Sequence, residues 1–328
     1  MEKFTMNDTT IAFIGLGLIG GSLAKGIKKA RPDIRIMAYM RTRSKLEQAK
    51  KDGIVDVILD GIDEQLKQCD LIFLCTPVEY NAQYLSKIRS YLKPGALITD
   101  VGSTKTDIHK EILRQGLTDC FVGGHPMAGS EKTGYENATD HLLENAYYIV
   151  TPPEGFNQNG CEYGNISPKY SENVKRIIAV AQTVGAIPLV LDYKEHDTVV
   201  AAISHLPHLV ASSLVNLVKD SDSPAETMKQ VAAGGFKDIT RIASSSPEMW
   251  EQICMTNSEP IADMLERYID SLQDILSEIK GHQGNAIYKL FEKSRDYRNT
   301  ITDRAKGSVE PSYAFSVDMA DEGGAIST

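Results

Sequence analysis

An α/β domain built on a mostly parallel sheet, followed by an all-helical domain, is the fold class this sequence predicts, on three observations. The apolar run from Ile11 to Ile14 passes straight into Gly15-Leu16-Gly17-Leu18-Ile19-Gly20 and then into a helical pattern. From residue 10 to about 192, short β-rich runs alternate with amphipathic ones, the pattern of strands covered by helices on both faces. After Asp192 the strand signal stops, and apolar residues recur at helical spacing to about Ile301.

The first element is the most informative. Gly15 allows a tight turn after the strand, Gly17 lets backbone approach a pyrophosphate, and Gly20 lets the helix pack on the strand. The helix N-terminus then offers free N–H groups to the anion, so a Rossmann-type dinucleotide-binding domain is expected over residues 1–192. Strands are expected at 11–14, 34–39, 71–75, 96–100, 120–123, 147–151 and 188–191, with helices at 44–52, 80–92 and 171–184. Three glycines and several prolines mark 152–168 as a surface loop. A helical substrate and dimerisation domain is expected over 193–306; its long helix through Ile261, Leu265, Leu272 and Ile279 is apolar enough to require cover by another helix, within the subunit or across a dimer. The tail, 307–328, alternates like a strand and then turns at Asp321-Glu322-Gly323-Gly324. A lone strand is unstable, so the tail reads as the opening of a further small domain.

Composition narrows the function. At 328 residues, 42% hydrophobic and 24% charged, the chain has ordinary soluble composition, and its net charge of −9 argues against nucleic-acid or anionic-membrane surfaces. An anionic ligand therefore needs local cations or backbone donors. There is no charged-then-apolar leader, and no apolar run approaches the roughly eighteen residues of a membrane span, so a cytoplasmic protein is expected. Five scattered cysteines, none in C-x-x-C spacing, suggest free thiols and no thiolate metal site.

About twenty residues past Gly20, where an acid usually meets the ribose 2′-OH, stand Met40, Arg41, Thr42 and Arg43. Two guanidiniums there suit a 2′-phosphate, which leans the cofactor toward NADP over NAD; the alternative is that both arginines are solvated and the adenosine pocket is undemanding. Beyond the carboxyl ends of the strands lie Asp100-Val101-Gly102-Ser103-Thr104-Lys105 and Gly124-His125-Pro126-Met127-Ala128-Gly129-Ser130-Glu131-Lys132. On a loop directly after a strand, His125 is suited to accept a hydroxyl proton near neutral pH, with Ser103 orienting it or the substrate. In the helical part, Ser204-His205-Leu206-Pro207-His208 and Gly234-Gly235-Phe236-Lys237-Asp238-Ile239-Thr240-Arg241 stand out. His205 and His208 share a helix face, as do Asp238 and Arg241; hydrogen bonding fits the histidines better than a metal, and Arg241 is either a partner of Asp238 or a clamp for a substrate carboxylate. Trp250 reads as a core or wall residue.

These five motifs, in this order over residues 10 to about 305, resemble the prephenate/arogenate dehydrogenase family of tyrosine biosynthesis. The resemblance implies that His125 is the catalytic base at the substrate ring hydroxyl, supported by Ser103, with Arg241 on a substrate carboxylate and Glu131 at the pocket mouth. It implies that His205, His208, Asp238 and Gly234 complete the substrate cleft, that Gly15, Leu16, Gly17, Leu18, Ile19, Gly20, Arg41, Thr42, Arg43, Thr76 and Ser103 hold NAD or NADP, and that the helical domain forms a homodimer. The tail resembles the first strand and turn of an ACT domain, which some members use for tyrosine feedback. The implied reaction is oxidative decarboxylation of prephenate, or of arogenate, without a metal. Alternatives are a related dehydrogenase acting on a β-hydroxy acid or imine, and a noncatalytic NADP-binding sensor.

Overall fold

The computed structural model describes residues 9–129, 132–153 and 171–301. Five parallel strands, β1 (Thr10–Ile14), β2 (Arg35–Tyr39), β3 (Val57–Ile58), β4 (Leu71–Leu74) and β5 (Leu97–Asp100), form one sheet in the order β3-β2-β1-β4-β5. The central strand β1 is fully buried on both faces. Ile11 and Phe13 point into one core with Leu23 and Ile27 of α1 (Leu18–Ala30), while Ala12 and Ile14 point into the other. The first core also takes in Leu46 of α2 (Arg43–Lys51), and the second takes in Leu85 of α3 (Asn81–Ile88) and Ile112 of α4 (Thr106–Gln115). Phe13 and Phe73 stack at 4.9 Å between β1 and β4, an aromatic pair of the kind that adds about 1 kcal/mol to simple burial.

Three further strands, β6 (Gly123–Pro126), β7 (Tyr147–Thr151) and β8 (Ile187–Val190), make a second sheet in which β6 runs antiparallel to β7 and β8 parallel to it. A single bridge, Ile98 to Phe121, links the two sheets. The expected continuous parallel sheet is thus divided, and the expected strand at 120–123 begins three residues later. Thr118–Cys120 forms a short 3-10 turn, and the pairing starts at the two glycines. A Cβ on Gly124 would lie 2.7 Å from both the Asp100 carbonyl and the Tyr148 hydroxyl, so only glycine lets β6 press against the end of β5. The two-residue strand β3 carried no sequence signal, because it is too short to show alternation.

After α5 (Glu172–Thr183), every described element but β8 is helical: α6 (Tyr193–Val200), α7 (Leu206–Ser221), α8 (Thr227–Val231), α9 (Gly234–Thr240), α10 (Pro247–Thr256), α11 (Ser258–Lys280) and α12 (Gly284–Thr300), with short 3-10 or π turns. A π-helical turn, Ala201–His205, joins α6 to α7 into one continuous helix. Pro207 explains the irregularity: lacking an N–H, it leaves the regular ladder incomplete, and the turn widens around it. This Tyr193–Ser221 helix is long and apolar enough to cross a membrane by length and composition, contrary to expectation. It nevertheless carries buried His196, Asp197 and His205, which bond inside the protein. In α11 only Ile261 is buried, and Leu272, Leu276 and Ile279 stand about half exposed in the single chain. The tail and most of the expected loop at 152–168 lie outside the described residues.

Gly15 adopts φ +95°, and a Cβ there would sit 2.6 Å from the Cys75 carbonyl. Gly15→Ala is therefore expected to cost about 1–3 kcal/mol of stability through backbone strain, with a lower melting temperature and weakened dinucleotide binding. An unchanged melting curve would contradict the strained-turn assignment.

Candidate active site

The site forms where the ends of β5 and β6 meet α6. Asp100 closes β5 and is fully buried, and its carboxylate accepts hydrogen bonds from Gly102 N at 2.9 Å and Gly124 N at 3.2 Å. Its negative charge is matched by the equally buried ammonium of Lys105. One carboxylate thus ties the turn that carries Ser103 to the strand that carries His125. His125 lies within β6, opposite Ile149, and not on a loop beyond a strand as expected. That gives the imidazole a more rigid base. Ser103 is half-buried in the anchored turn, and among the described residues no hydrogen bond joins it to His125.

From the other side, α6 supplies two residues absent from the sequence reading. His125 Nδ1 is 2.8 Å from His196 Nε2, and His196 Nδ1 is 2.8 Å from Asp197 Oδ1. Asp197 also accepts from Lys105 N at 2.8 Å and Thr106 N at 2.7 Å, so it caps the N-terminus of α4 from α6. An ionised carboxylate only accepts. His196 must then donate from Nδ1 and accept at Nε2, and His125 must donate from Nδ1, which leaves His125 Nε2 as a proton acceptor. Burial lowers the proton affinity of His125, and the neighbouring His196 and Lys105 lower it further, well below the ordinary imidazole range. Asp197 stays ionised: burial alone would raise its pKa, but hydrogen bonds from His196 and Thr106 hold it below the ordinary value.

The histidines of α7 and its π turn flank this chain. Asn257 Nδ2 donates to Asp197 O at 2.9 Å and lies 3.0 Å from His205 Nδ1, and His205 is close enough to His125 to depress its protonation. His208 Nδ1 donates to Ser204 O at 2.8 Å, and its ring stacks on Trp250 with centroids 3.9 Å apart. His205 meets the same Trp250 ring edge-on at 5.9 Å, so the tryptophan packs against both histidines. Arg241, just after α9, is near enough to lower the proton affinity of His208. His125, His205, His208 and Arg241 thus lie in order within electrostatic reach of one another. Asp238 and Gly234 are exposed on α9, with the Asp238 carboxylate 4.0 Å from where a Gly234 Cβ would be. Glu131 lies outside the described residues.

The glycine turn fits a dinucleotide phosphate. Helix α1 begins at Leu18 with Gly17 as its cap and no side-chain cap hydrogen bond, and a Cβ on Gly17 would meet nothing within 4 Å. Leu16 is buried beneath the turn, Leu18 and Ile19 are half-buried, and Thr76 crosses close to Gly15. At the end of β2, Arg41 lies 5.2 Å over the Tyr80 ring, whereas Arg43 is paired with Asp60 and, at 3.4 Å, with Glu47. Thr42 is the exposed cap of α2.

Buried histidines make a pH signature. Burial, then the Lys105 charge, holds His109 down to about 3, and burial holds His205 down to about 4. His125 and His196 are lowered as well, both chiefly by burial. Since each folded value lies below the ordinary 6.5, the unfolded chain takes up protons first as pH falls. The stability these groups contribute is complete above about pH 6.5 and is lost toward about pH 4. The melting temperature is expected to fall across that window, and a flat profile there would show that the imidazoles are freely protonated in the fold.

The comparisons agree with this architecture. A family model described as prephenate dehydrogenase, nucleotide-binding domain, matches residues 23–164, and one described as prephenate dehydrogenase, dimerization domain, matches 192–293. The chain is 36% identical to prephenate dehydrogenase of Bacillus subtilis, covering 97% of this chain and 83% of that protein. It is 35% identical to that of Lactococcus lactis, covering 96% and 84%. A solved prephenate dehydrogenase from A. aeolicus, in complex with hydroxyphenyl propionate and NAD+, superimposes with a TM-score of 0.79 at 29% identity over 88% of this chain and 97% of that one. On the matched models and the extent of these identities, the chain belongs to the prephenate dehydrogenase family.

Proposed function

We propose that the chain catalyses the NAD(P)-dependent oxidative decarboxylation of prephenate to 4-hydroxyphenylpyruvate, a step of tyrosine synthesis. The observation that carries this reading is the buried chain His125–His196–Asp197 on the same side of the fold as the glycine turn, at the carboxyl ends of the parallel strands. A nicotinamide held at the glycine turn would supply the acceptor for the hydride on C4 of the substrate. His125 Nε2 takes the proton of the C4 hydroxyl as the ring carbon becomes a carbonyl. The carboxylate on the opposite ring carbon then leaves as carbon dioxide, its bonding electrons complete the aromatic ring as a phenolate, and the proton held by His125 returns to that oxygen to give the phenol. The proton gained by His125 creates an imidazolium that His196 and the Asp197 carboxylate stabilise through two hydrogen bonds. A neutral His125 at rest is what a base needs, and its low proton affinity ensures it.

Substrate binding asks for cations in a chain of net charge −9, and Arg241 beside His208 is the group we assign to a carboxylate. We extend the same assignment to His205, His208, Gly234 and Asp238 as substrate contacts and to Ser103 at the hydroxyl end, while Glu131, expected at the pocket mouth, lies outside the described residues. For the cofactor, Met40 offers the 2′ position no acceptor and Arg41 offers it a donor, so the site can admit NADP in addition to NAD. The same reading includes a homodimer through the exposed apolar face of α11, arogenate as a second substrate, a cytoplasmic enzyme, and tyrosine control through 307–328.

Turnover with prephenate, followed by the absorbance of reduced nicotinamide, tests the assignment. His125→Asn is expected to retain cofactor binding and lose roughly 10²- to 10⁴-fold in kcat. Arg241→Ala should raise KM far more than it lowers kcat, because a carboxylate clamp acts on ground state and transition state alike. Near-normal turnover in a folded His125→Asn variant would remove that residue from the chemistry, and an unchanged KM in Arg241→Ala would return the arginine to a structural role.

A further inference from the structure

The choice between NAD and NADP turns on a residue outside the motif that normally decides it. Read along the chain, the end of β2 has no acid: Met40 holds the usual position, and Arg41 and Arg43 follow. Across the sheet the situation differs. Strands β2 and β3 pair in parallel with Met37 opposite Val57 and Ala38 opposite Ile58, and Leu59 N donates to Ala38 O at 2.8 Å. Continuing that register by two residues sets Asp60 level with Met40. The Asp60 carboxylate reaches Arg43 at the first turn of α2, and Glu47 approaches the same guanidinium at 3.4 Å from one turn further on. Arg43 is thus held between two carboxylates, while Arg41 is directed over the Tyr80 ring.

We propose that Asp60 takes the place of the missing ribose acid and biases the site toward NAD over NADP, by occupying the Arg43 guanidinium and by setting a negative charge beside the 2′ position. This rests on the dinucleotide site proposed above. Charge decides the direction. A 2′-phosphate carries close to two negative charges, so a fixed carboxylate nearby repels it, whereas a 2′-hydroxyl is neutral and can donate to the same carboxylate. One arginine stays available to a phosphate and one does not. Discrimination of this kind combines a repulsive element with a withdrawn attractive one. All three side chains of the Asp60–Arg43–Glu47 cluster are more than half exposed, so the effect is moderate and weakens with salt.

Calorimetric titration of the full chain with NAD and with NADP, at low and high salt, tests the proposal without relying on turnover. The wild-type chain is expected to bind NAD more tightly than NADP. Asp60→Asn should tighten NADP binding by roughly 5- to 20-fold at low salt, the scale of one screened charge contact plus a released guanidinium, and leave NAD within about twofold. Asp60→Glu keeps the charge and should bind as the wild type does. An unchanged NADP affinity in Asp60→Asn, or an equal gain for both cofactors, would overturn the assignment of Asp60. Failure of the wild type to bind either dinucleotide would instead overturn the underlying cofactor site. Because Asp60 is on the surface, a melting curve close to that of the wild type is expected for both variants, so a folding defect is separable from a change in binding.

Discussion

The Asp197 carboxylate is the contact on which the remainder of the site depends. It receives two backbone N–H groups at the start of α4 and the imidazole of His196, while its own backbone carbonyl receives Asn257. Capping satisfies donors that a helix start leaves open. Here the cap is brought from the helical part of the chain, so the same bonds that finish α4 also fix how α6 lies against the sheet. The orientation of the His125 imidazole follows from that docking. Because Asp197 only accepts, the protonation pattern of both histidines is set from one end.

Asp100 and Lys105 close the arrangement into a loop: Asp100 holds Gly124 beside His125, His125 meets His196, His196 meets Asp197, and Asp197 returns to the backbone of Lys105. Buried charges are poor stabilisers, since desolvation offsets most of their attraction, and removal of one partner commonly costs about 3–5 kcal/mol. Their presence is better explained by position than by stability. With two carboxylates, one ammonium and two neutral imidazoles, the resting cluster carries one negative charge, and proton uptake by His125 brings it to neutrality. Burial and the Lys105 charge nevertheless keep His125 neutral at rest, so the two carboxylates offset only part of the cost of protonating it in the proposed reaction.

Much of this was legible in the sequence, and the missing parts share a cause. The glycine turn, the alternation of strands and helices and the change of periodicity after Asp192 are local signals, and each corresponds to an observed element. His125, Ser103 and Arg241 were visible because glycines and polar residues set them apart from apolar runs. His196 and Asp197 were not, since an adjacent His-Asp pair in an amphipathic helix looks like a solvated face until the sheet is packed against it. Their one available signal was position: they follow the Asp192 cap and precede a strongly apolar stretch, where exposed polar residues are out of place. The placement of β6 was missed because Phe121 and Val122 are the better strand formers, yet pairing requires the glycines that follow. Asp60 escaped for a related reason. Its relation to Met40 exists only across the β2–β3 register, at a separation of twenty residues in the chain.

The division of rigidity between the two sides of the cleft follows from these placements. His125 and His196 sit on a strand with a fully buried neighbour and on a buried helix turn, where few rotamers are open and a small displacement of His196 would break two hydrogen bonds at once. Arg241 sits beyond the end of a seven-residue helix, exposed and beside His208, whose position the π turn and Pro207 determine. Proton transfer tolerates little error in distance, whereas a long guanidinium can follow a carboxylate through several geometries. Under the proposed function, the fold places constrained hydrogen bonds at the base and leaves a long, exposed cation for a carboxylate that only has to be held.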